Sequence, residues 1–227
     1  MDSHGEITAG KGAPMKETIY TIPINEAFDT AGGACPVCVL ARGLDRDALD
    51  YVMGAAMMEP DVRIETNRLG FCASHMDSML QMGNRLSLAL MLESYLLEQR
   101  ATLASAKNDP ASTCFICSRR DGYMAAYYRN MLYIWETDQA FREKFAAARL
   151  CWPHIGALMH GAAAGLGRKA LPVFRAALLD MAYERFAALT PPVSTFCQSF
   201  DHRNADKPLG DAKYAVERAV EWLKGPR

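Results

Sequence analysis

The chain lacks a long apolar run, an excess of either charge and any alternating strand pattern, and each lack removes a class of protein. No stretch reaches the roughly 18 consecutive apolar residues that a membrane-spanning helix needs. Half of the 227 residues are nevertheless hydrophobic, enough to bury a substantial core. Lys and Arg number 25 against 26 Asp and Glu, a net charge of −1. No basic block speaks for nucleic acid, and no acidic run for a solvating tail. Residues Met1 to Pro14 are polar and Gly-rich, without the apolar segment of a secretory signal. The expected compartment is the cytoplasm, where thiols stay reduced. No Gly-rich phosphate loop, Ser/His/Asp order or paired-carboxylate pattern singles out a catalytic centre.

What the chain has is cysteine in a strict arrangement. Cys35-Pro36-Val37-Cys38 and Cys72-Ala73-Ser74-His75 recur as Cys114-Phe115-Ile116-Cys117 and Cys151-Trp152-Pro153-His154, each ligand type reappearing 79 positions later. The gap from the second cysteine to the third is 33 residues in both copies, and the motifs use six of the seven cysteines. In a reducing compartment such cysteines are metal ligands or catalysts before they are disulfides. Residues i and i+3 share one face of a helix, so each C-x2-H pair points its two donors the same way. Three thiolates and a neutral imidazole complete a tetrahedral zinc site with no open position. The expected ligands are therefore Cys35, Cys38, Cys72, His75, Cys114, Cys117, Cys151 and His154, holding two Zn2+ ions. The alternative is two 4Fe-4S clusters, since sulfur-rich sets also suit iron–sulfur chemistry. The default grouping keeps each quartet within its repeat. A crossed grouping, in which the C-x2-C of one repeat joins the C-x2-H of the other, gives equally good sets.

The rest of the chain reads as all-α. We expect a duplicated helical module, each half a C-x2-C helix and a long C-x2-H helix joined by a metal site. Residues 1–15 form an expected leader, 16–108 a first repeat and 109–227 a second repeat with a C-terminal amphipathic helix, or the whole is one compact domain. Tyr20 to Ile24 is expected to be extended, bounded by Pro23. Helices are expected over Cys38–Met58, from Cys72 to about Ala106 with Gly83 and Asn84 as weak points, over Cys117–Thr137, and over Asp138–Arg149. A further helix or broken pair covers Pro153 to about Leu189, with Gly165, Gly167 and Pro172 as interruptions and Pro191-Pro192 as its stop. Asn108-Asp109-Pro110 separates the repeats. Ser194–Leu209 is expected to be irregular, and Asp211–Lys224 a last helix capped by Asp211. Outside the ligands, Gly43 aligns with Gly122, Arg63 with Arg142 and Phe71 with Leu150.

Other residues are weaker candidates. Asp61, Arg63 and Glu65 form a polar cluster that either contacts a ligand or serves as caps and surface ion pairs, and the second reading is preferred. The methionines Met53, Met57, Met58, Met76, Met79 and Met82 read as pliable core. Tyr123, Tyr127, Tyr128, Tyr133 and Trp135 line one helix, as core or as the floor of a pocket. Cys197 has no matched partner and is expected to be a buried thiol. His160 and His202 are read as ordinary polar residues.

Tyr20 to Phe28, the Cys-Pro-x-Cys segment, Met58-Glu59-Pro60-Asp61-Val62-Arg63, Gly70-Phe71-Cys72-x-x-His75 and the closing Phe200-Asp201-His202-Arg203-Asn204 together resemble a bacterial family catalogued as domain of unknown function 6062. The resemblance spans most of Lys16 to Leu223 and implies a soluble bacterial protein without supplying an activity. Many members come from anaerobes, which favours the iron–sulfur alternative somewhat. Three functions follow as expectations. The first is a non-enzymatic scaffold whose helical surface binds a protein or small ligand. The second is an iron–sulfur redox or cofactor-handling protein. The third is an enzyme with a pocket between the repeats, using Asp61, Arg63 and His160.

Overall fold

The computed structural model describes residues 15–103, 113–204 and 208–225. The leader up to Pro14, the Asn108-Asp109-Pro110 break and the end of the helix expected to reach Ala106 lie outside them. Every regular element among the described residues is helical. They are α1 (Met15–Thr30), α2 (Pro36–Met53), α3 (Pro60–Leu69), α4 (Ala73–Gln81), α5 (Arg85–Thr102), α6 (Phe115–Thr137), α7 (Gln139–Ala147), α8 (Trp152–Gly165), α9 (Ala170–Gln198) and α10 (Ala215–Lys224), with short 3-10 turns between some of them. None is long and apolar enough to cross a membrane.

Two of these helices overturn expectation through proline. Pro23 does not bound an extended piece but lies inside α1, and Pro191 and Pro192 lie inside α9, which runs on to Gln198. A proline inside a helix frees the carbonyl four residues back. Here those carbonyls belong to Ile19, Ala187 and Ala188, all on exposed residues, where water can replace the lost donor. The buried faces of both helices are left intact. On α1 it is Ile24 and Ala27, with Tyr20 edge-on to Tyr127 and Phe28 against Phe141. On α9 it is Phe174, Leu178, Ala182 and Leu189. Ser194–Leu209 is accordingly helical at its start and turns through a 3-10 segment at His202–Asn204. Cys197, expected to be buried, lies exposed on α9.

The expected long helix from Cys72 breaks into α4 and α5 at Gly83, whose φ of 78° favours glycine. Asn84 then caps α5: its side chain accepts from the Ser87 amide and donates to Met53 O. Asp138 caps α7 in the same way, through the amides of Ala140 and Phe141. Asp211 does not cap α10. It sits in a 3-10 turn, Gly210–Tyr214, that leads into that helix.

At the centre, α2 and α6 lie antiparallel. Arg119, near the start of α6, stacks on Tyr51 near the end of α2, and Arg120 reaches Asp45 at mid-helix. Two apolar clusters flank this pair. The larger gathers α1, the start of α2, α6 to α9 and Trp222, around Phe141, Phe145, Phe174, Leu158 and Leu178. The smaller gathers the end of α2, Phe71, α4, α5 and the start of α6, around Met79, Met91 and Ile116. Each draws on both repeats. Of the methionine stripe, Met53 and Met79 are core, whereas Met58 and Met82 are exposed. Tyr127 and Trp135 are buried, while Tyr123 and Tyr133 are partly exposed.

The repeat extends beyond the cysteines. Arg63 donates to Met57 O and Arg142 to Glu136 O, bonds between positions that correspond under the same shift. Phe71 and Leu150, one residue before the third cysteine of each copy, are both buried.

Candidate metal centres

All four motifs begin in one way. Cys35, Cys72, Cys114 and Cys151 are the N-cap residues of α2, α4, α6 and α8, each with extended backbone and none using its side chain to cap. The second donor of each motif, at Cys38, His75, Cys117 and His154, falls three residues on, inside the first turn. A sulfur stands where Ser, Thr, Asp or Asn normally caps, so the first backbone N–H groups lie beside sulfur. Pro36 at the first position of α2 loses no bond, because that N–H has no partner within the helix.

The helices bring the eight donors into two quartets, and the quartets are crossed. Cys35, Cys38, Cys151 and His154 form the first centre; Cys72, His75, Cys114 and Cys117 form the second. The default grouping within each repeat is thereby corrected. Helix length explains the outcome. The 18 residues of α2 advance the chain about 27 Å, and the 10 of α3 span only about 15 Å, too little to bring it back to the start of α2. Cys72 is thus left near the far end of α2, where the antiparallel α6 begins with Cys114. The second repeat behaves likewise: α6 has 23 residues and α7 only 9, so Cys151 comes to rest beside the start of α2.

Within each quartet the donor atoms lie within 4.8 Å of one another. In the first centre, His154 Nδ1 is 3.4, 3.2 and 3.1 Å from the sulfurs of Cys35, Cys38 and Cys151, and the Cys38 and Cys151 sulfurs are 3.6 Å apart. In the second, His75 Nδ1 is 3.2, 3.4 and 3.4 Å from Cys72, Cys114 and Cys117, and Cys72 to Cys117 is 4.0 Å. These sulfurs are free thiols, not disulfides. Tetrahedral zinc with bonds of about 2.3 Å to sulfur and 2.0–2.1 Å to nitrogen sets donor–donor edges of about 3.5–3.8 Å. These four edges of each quartet lie within about half an ångström of that range and no edge exceeds 4.8 Å, a spacing that suits a single tetrahedral ion.

Proton sharing makes the same point. In the first centre the Cys35 thiol is driven far down, chiefly by the hydrogen bond with Cys151 and then that with Cys38. The Cys38 thiol is driven far up by its bonds with Cys151 and Cys35 and by burial. In the second, burial and then the neighbouring Cys114 charge push the Cys117 thiol up to about 12. Three sulfurs this close resist simultaneous ionisation unless a cation joins them.

The surroundings of the two centres differ. His75 Nε2 faces Asp45 Oδ1 at 3.6 Å, and Arg120 holds the other carboxylate oxygen at 3.4 Å. Asp45 Oδ1 is buried and has no hydrogen-bond partner, His75 Nε2 standing just beyond that range. A small approach of the two would complete the carboxylate–histidine arrangement that fixes which imidazole nitrogen meets a metal. At the first centre the ring of Tyr128 is the neighbour, its centroid 6.5 Å from that of His154. Burial, followed by the nearby cysteine charges, pushes the Tyr128 phenol up. The first centre is also approached by the C-terminal helix. Trp222 donates to Leu150 O at 2.9 Å, and Gly225 approaches so closely that a Cβ there would stand 3.3 Å from the Cys151 sulfur. All three of its cysteines are buried, whereas Cys72 and Cys117 of the second centre are half-buried.

A backbone bond at the second centre has no counterpart at the first. Phe115 donates its N–H to Gly70 O at 2.9 Å, tying the two motifs together. The position corresponding to Phe115 in the first repeat is Pro36, which has no N–H to give.

The weaker candidates stand apart from both centres. Arg63 bonds Met57 O, Glu65 pairs with Arg68 on the surface, and Asp61 is exposed in the first turn of α3. His160 bonds back to Gly156 O on an exposed face, and His202 pairs with Asp201. Asp61, Arg63 and His160 line neither the cavity between α7, α9 and α10 nor that between α1, α2 and α6. Asp45 escaped notice in the sequence. Its signal was its place seven residues after Cys38 on the same helix, which is informative only once the crossed pairing is known.

Fold and site together define an all-α protein built on two buried or half-buried Cys3His quartets. The sequence model described as "Family of unknown function (DUF6062)" matches residues 15–111 and again residues 99–227. The chain belongs to this family, and the double match follows its internal repeat. No curated protein and no solved structure matches it.

Proposed function

We propose that both centres hold zinc as closed structural sites, and that the protein is a non-enzymatic helical scaffold of the cytoplasm whose surface binds a protein or small ligand. The observation that carries this reading is the convergence of each imidazole Nδ1 on three sulfurs at 3.1–3.4 Å. Donors this close suit one ion. A four-iron cluster holds each ligand on a different iron and so spreads its donors more widely. Three thiolates and an imidazole leave zinc no open position for substrate, which suits a structural role. Each ion would pin the N-termini of two helices from different repeats, α2 to α8 and α4 to α6, and the helix dipoles there favour the thiolates. Anaerobic purification with metal analysis and a visible spectrum tests the reading. The expected result is a colourless protein with about two zinc ions per chain. A brown protein carrying acid-labile sulfide overturns it.

A further inference from the structure

A cavity of about 540 Å³ lies between the loop before α2, the end of α7, α9 and α10. Its walls are unusually small-sided, with Gly33, Ala34, Ala146, Ala147, Ala148 and Ala188 leaving room. Three arginines from three different elements line it: Arg149 after α7, Arg185 on α9 and Arg218 on α10. Two glutamates, Glu184 and Glu221, line it as well, so the wall carries one excess positive charge. None of the three guanidinium groups has a carboxylate within ion-pair distance among the described residues. Arg218 donates to Asp211 O at 2.5 Å. Burial, then the positive charges of Arg149 and Arg218, lower the Arg185 pKa, with Glu221 opposing. Cationic forks that repel one another around an open space are the arrangement that multivalent oxyanions satisfy, because each fork offers paired N–H donors.

We infer that this arginine-lined cavity binds a small molecule bearing phosphate or carboxylate groups, held by Arg149, Arg185 and Arg218. The shared chemistry is the oxyanion. The size of the cavity admits a phosphorylated or polycarboxylate metabolite. Cys35 and Cys151 form part of the wall, so the ligand would lie against the outer side of the first metal centre. The inference rests on the cavity and its charges, not on the identity of the metal.

The test is calorimetric titration of the full chain, as purified with its metal, using inorganic pyrophosphate in one arm and citrate in the other. The expected result is saturable binding of one of the two at one site per chain. Arg185→Gln and the double variant Arg149→Gln/Arg218→Gln should each weaken it at least tenfold. Arg175→Gln, on an exposed part of α9 outside the cavity, should leave it unchanged. Stronger pyrophosphate binding assigns a phosphate ligand, and stronger citrate binding a carboxylate ligand. No saturable binding in either arm overturns the inference, and so does binding that survives the cavity variants or falls equally with Arg175→Gln. Metal content and thermal melting of the same samples show whether each variant is folded. A loss of bound zinc with anion binding retained would count against the metal reading alone.

Discussion

The crossed ligand sets make an unambiguous prediction about pairs of cysteine substitutions. A bound ion acts on the chain as a cross-link. It spans 113 residues between Cys38 and Cys151 and 45 between Cys72 and Cys117. The chain-entropy relation for such loops gives about 4.8 kcal/mol for the first centre and about 4.0 kcal/mol for the second at room temperature. Cys38→Ser should therefore release one ion and cost about 5 kcal/mol. Adding Cys151→Ser should cost little more and leave the second ion in place, because the shared site is already lost. Combining Cys38→Ser with Cys72→Ser should release both ions and cost about 9 kcal/mol, within the 5–15 kcal/mol that usually separates folded from unfolded domains. That double variant should be largely unfolded. Metal analysis on each purified variant reads the stoichiometry, and urea titration followed by circular dichroism reads the stability. Cys197→Ser serves as the control and should retain both ions, since its exposed thiol belongs to neither quartet. If the Cys38→Ser/Cys72→Ser protein keeps one ion while Cys38→Ser/Cys151→Ser keeps none, the pairing runs within repeats and the argument from helix lengths fails.

Four other outcomes are expected. Asp45→Asn should weaken zinc at the second centre 10- to 100-fold, through loss of the carboxylate facing His75 Nε2, and leave the first centre untouched; competition with a chromophoric chelator separates the two. Gly225→Ala places a side chain at φ 78° against the Cys151 sulfur, so it should cost about 1–2 kcal/mol and hasten zinc loss from the first centre in stopped-flow chelation. Phe174→Ala, at a side chain 1 % exposed between Trp135 and Phe145, should cost about 3–5 kcal/mol in urea titration. Zinc affinity should rise with pH. Without the ion, the Cys38 thiol is pushed up by its bond with Cys151 and the Cys117 thiol to about 12 by burial. His154 is raised to about 9: burial opposes its charge, but the bonds from Cys151 and Cys35 prevail. These groups hold protons at neutral pH that zinc must displace, so acid weakens binding and uptake should release protons into a weakly buffered solution with a pH indicator.

The clustering of the eight Cys and His residues of the motifs was legible in the sequence because their spacing matches helix geometry: the two members of every motif lie three positions apart, and each motif opens a helix. The pairing was not read, although the information lay in segment lengths, since α3 and α7 are too short to carry the chain back along α2 and α6. Local rules failed where tertiary context took over. Pro23, Pro191 and Pro192 look like breakers, yet each frees only a carbonyl that water can reach, while Ile24 and Leu189 keep their helices docked. Asn84 and Gly83 could be read as an interruption because capping and positive φ are local properties. The arginines of the cavity were invisible for the opposite reason: Arg149, Arg185 and Arg218 are far apart in the chain and meet only through the packing of α8, α9 and α10.

The exchange of ligands between halves also bears on how such a chain could arise. A single repeat carries one C-x2-C and one C-x2-H that its own helix lengths hold apart, so alone it presents two open half-sites. Two identical copies facing each other about a twofold axis would close both at once, each lending its histidine to the other. The tandem chain has the connectivity of such a symmetric dimer joined end to end. Fusion would make the partner permanently present, and ion capture would no longer depend on protein concentration.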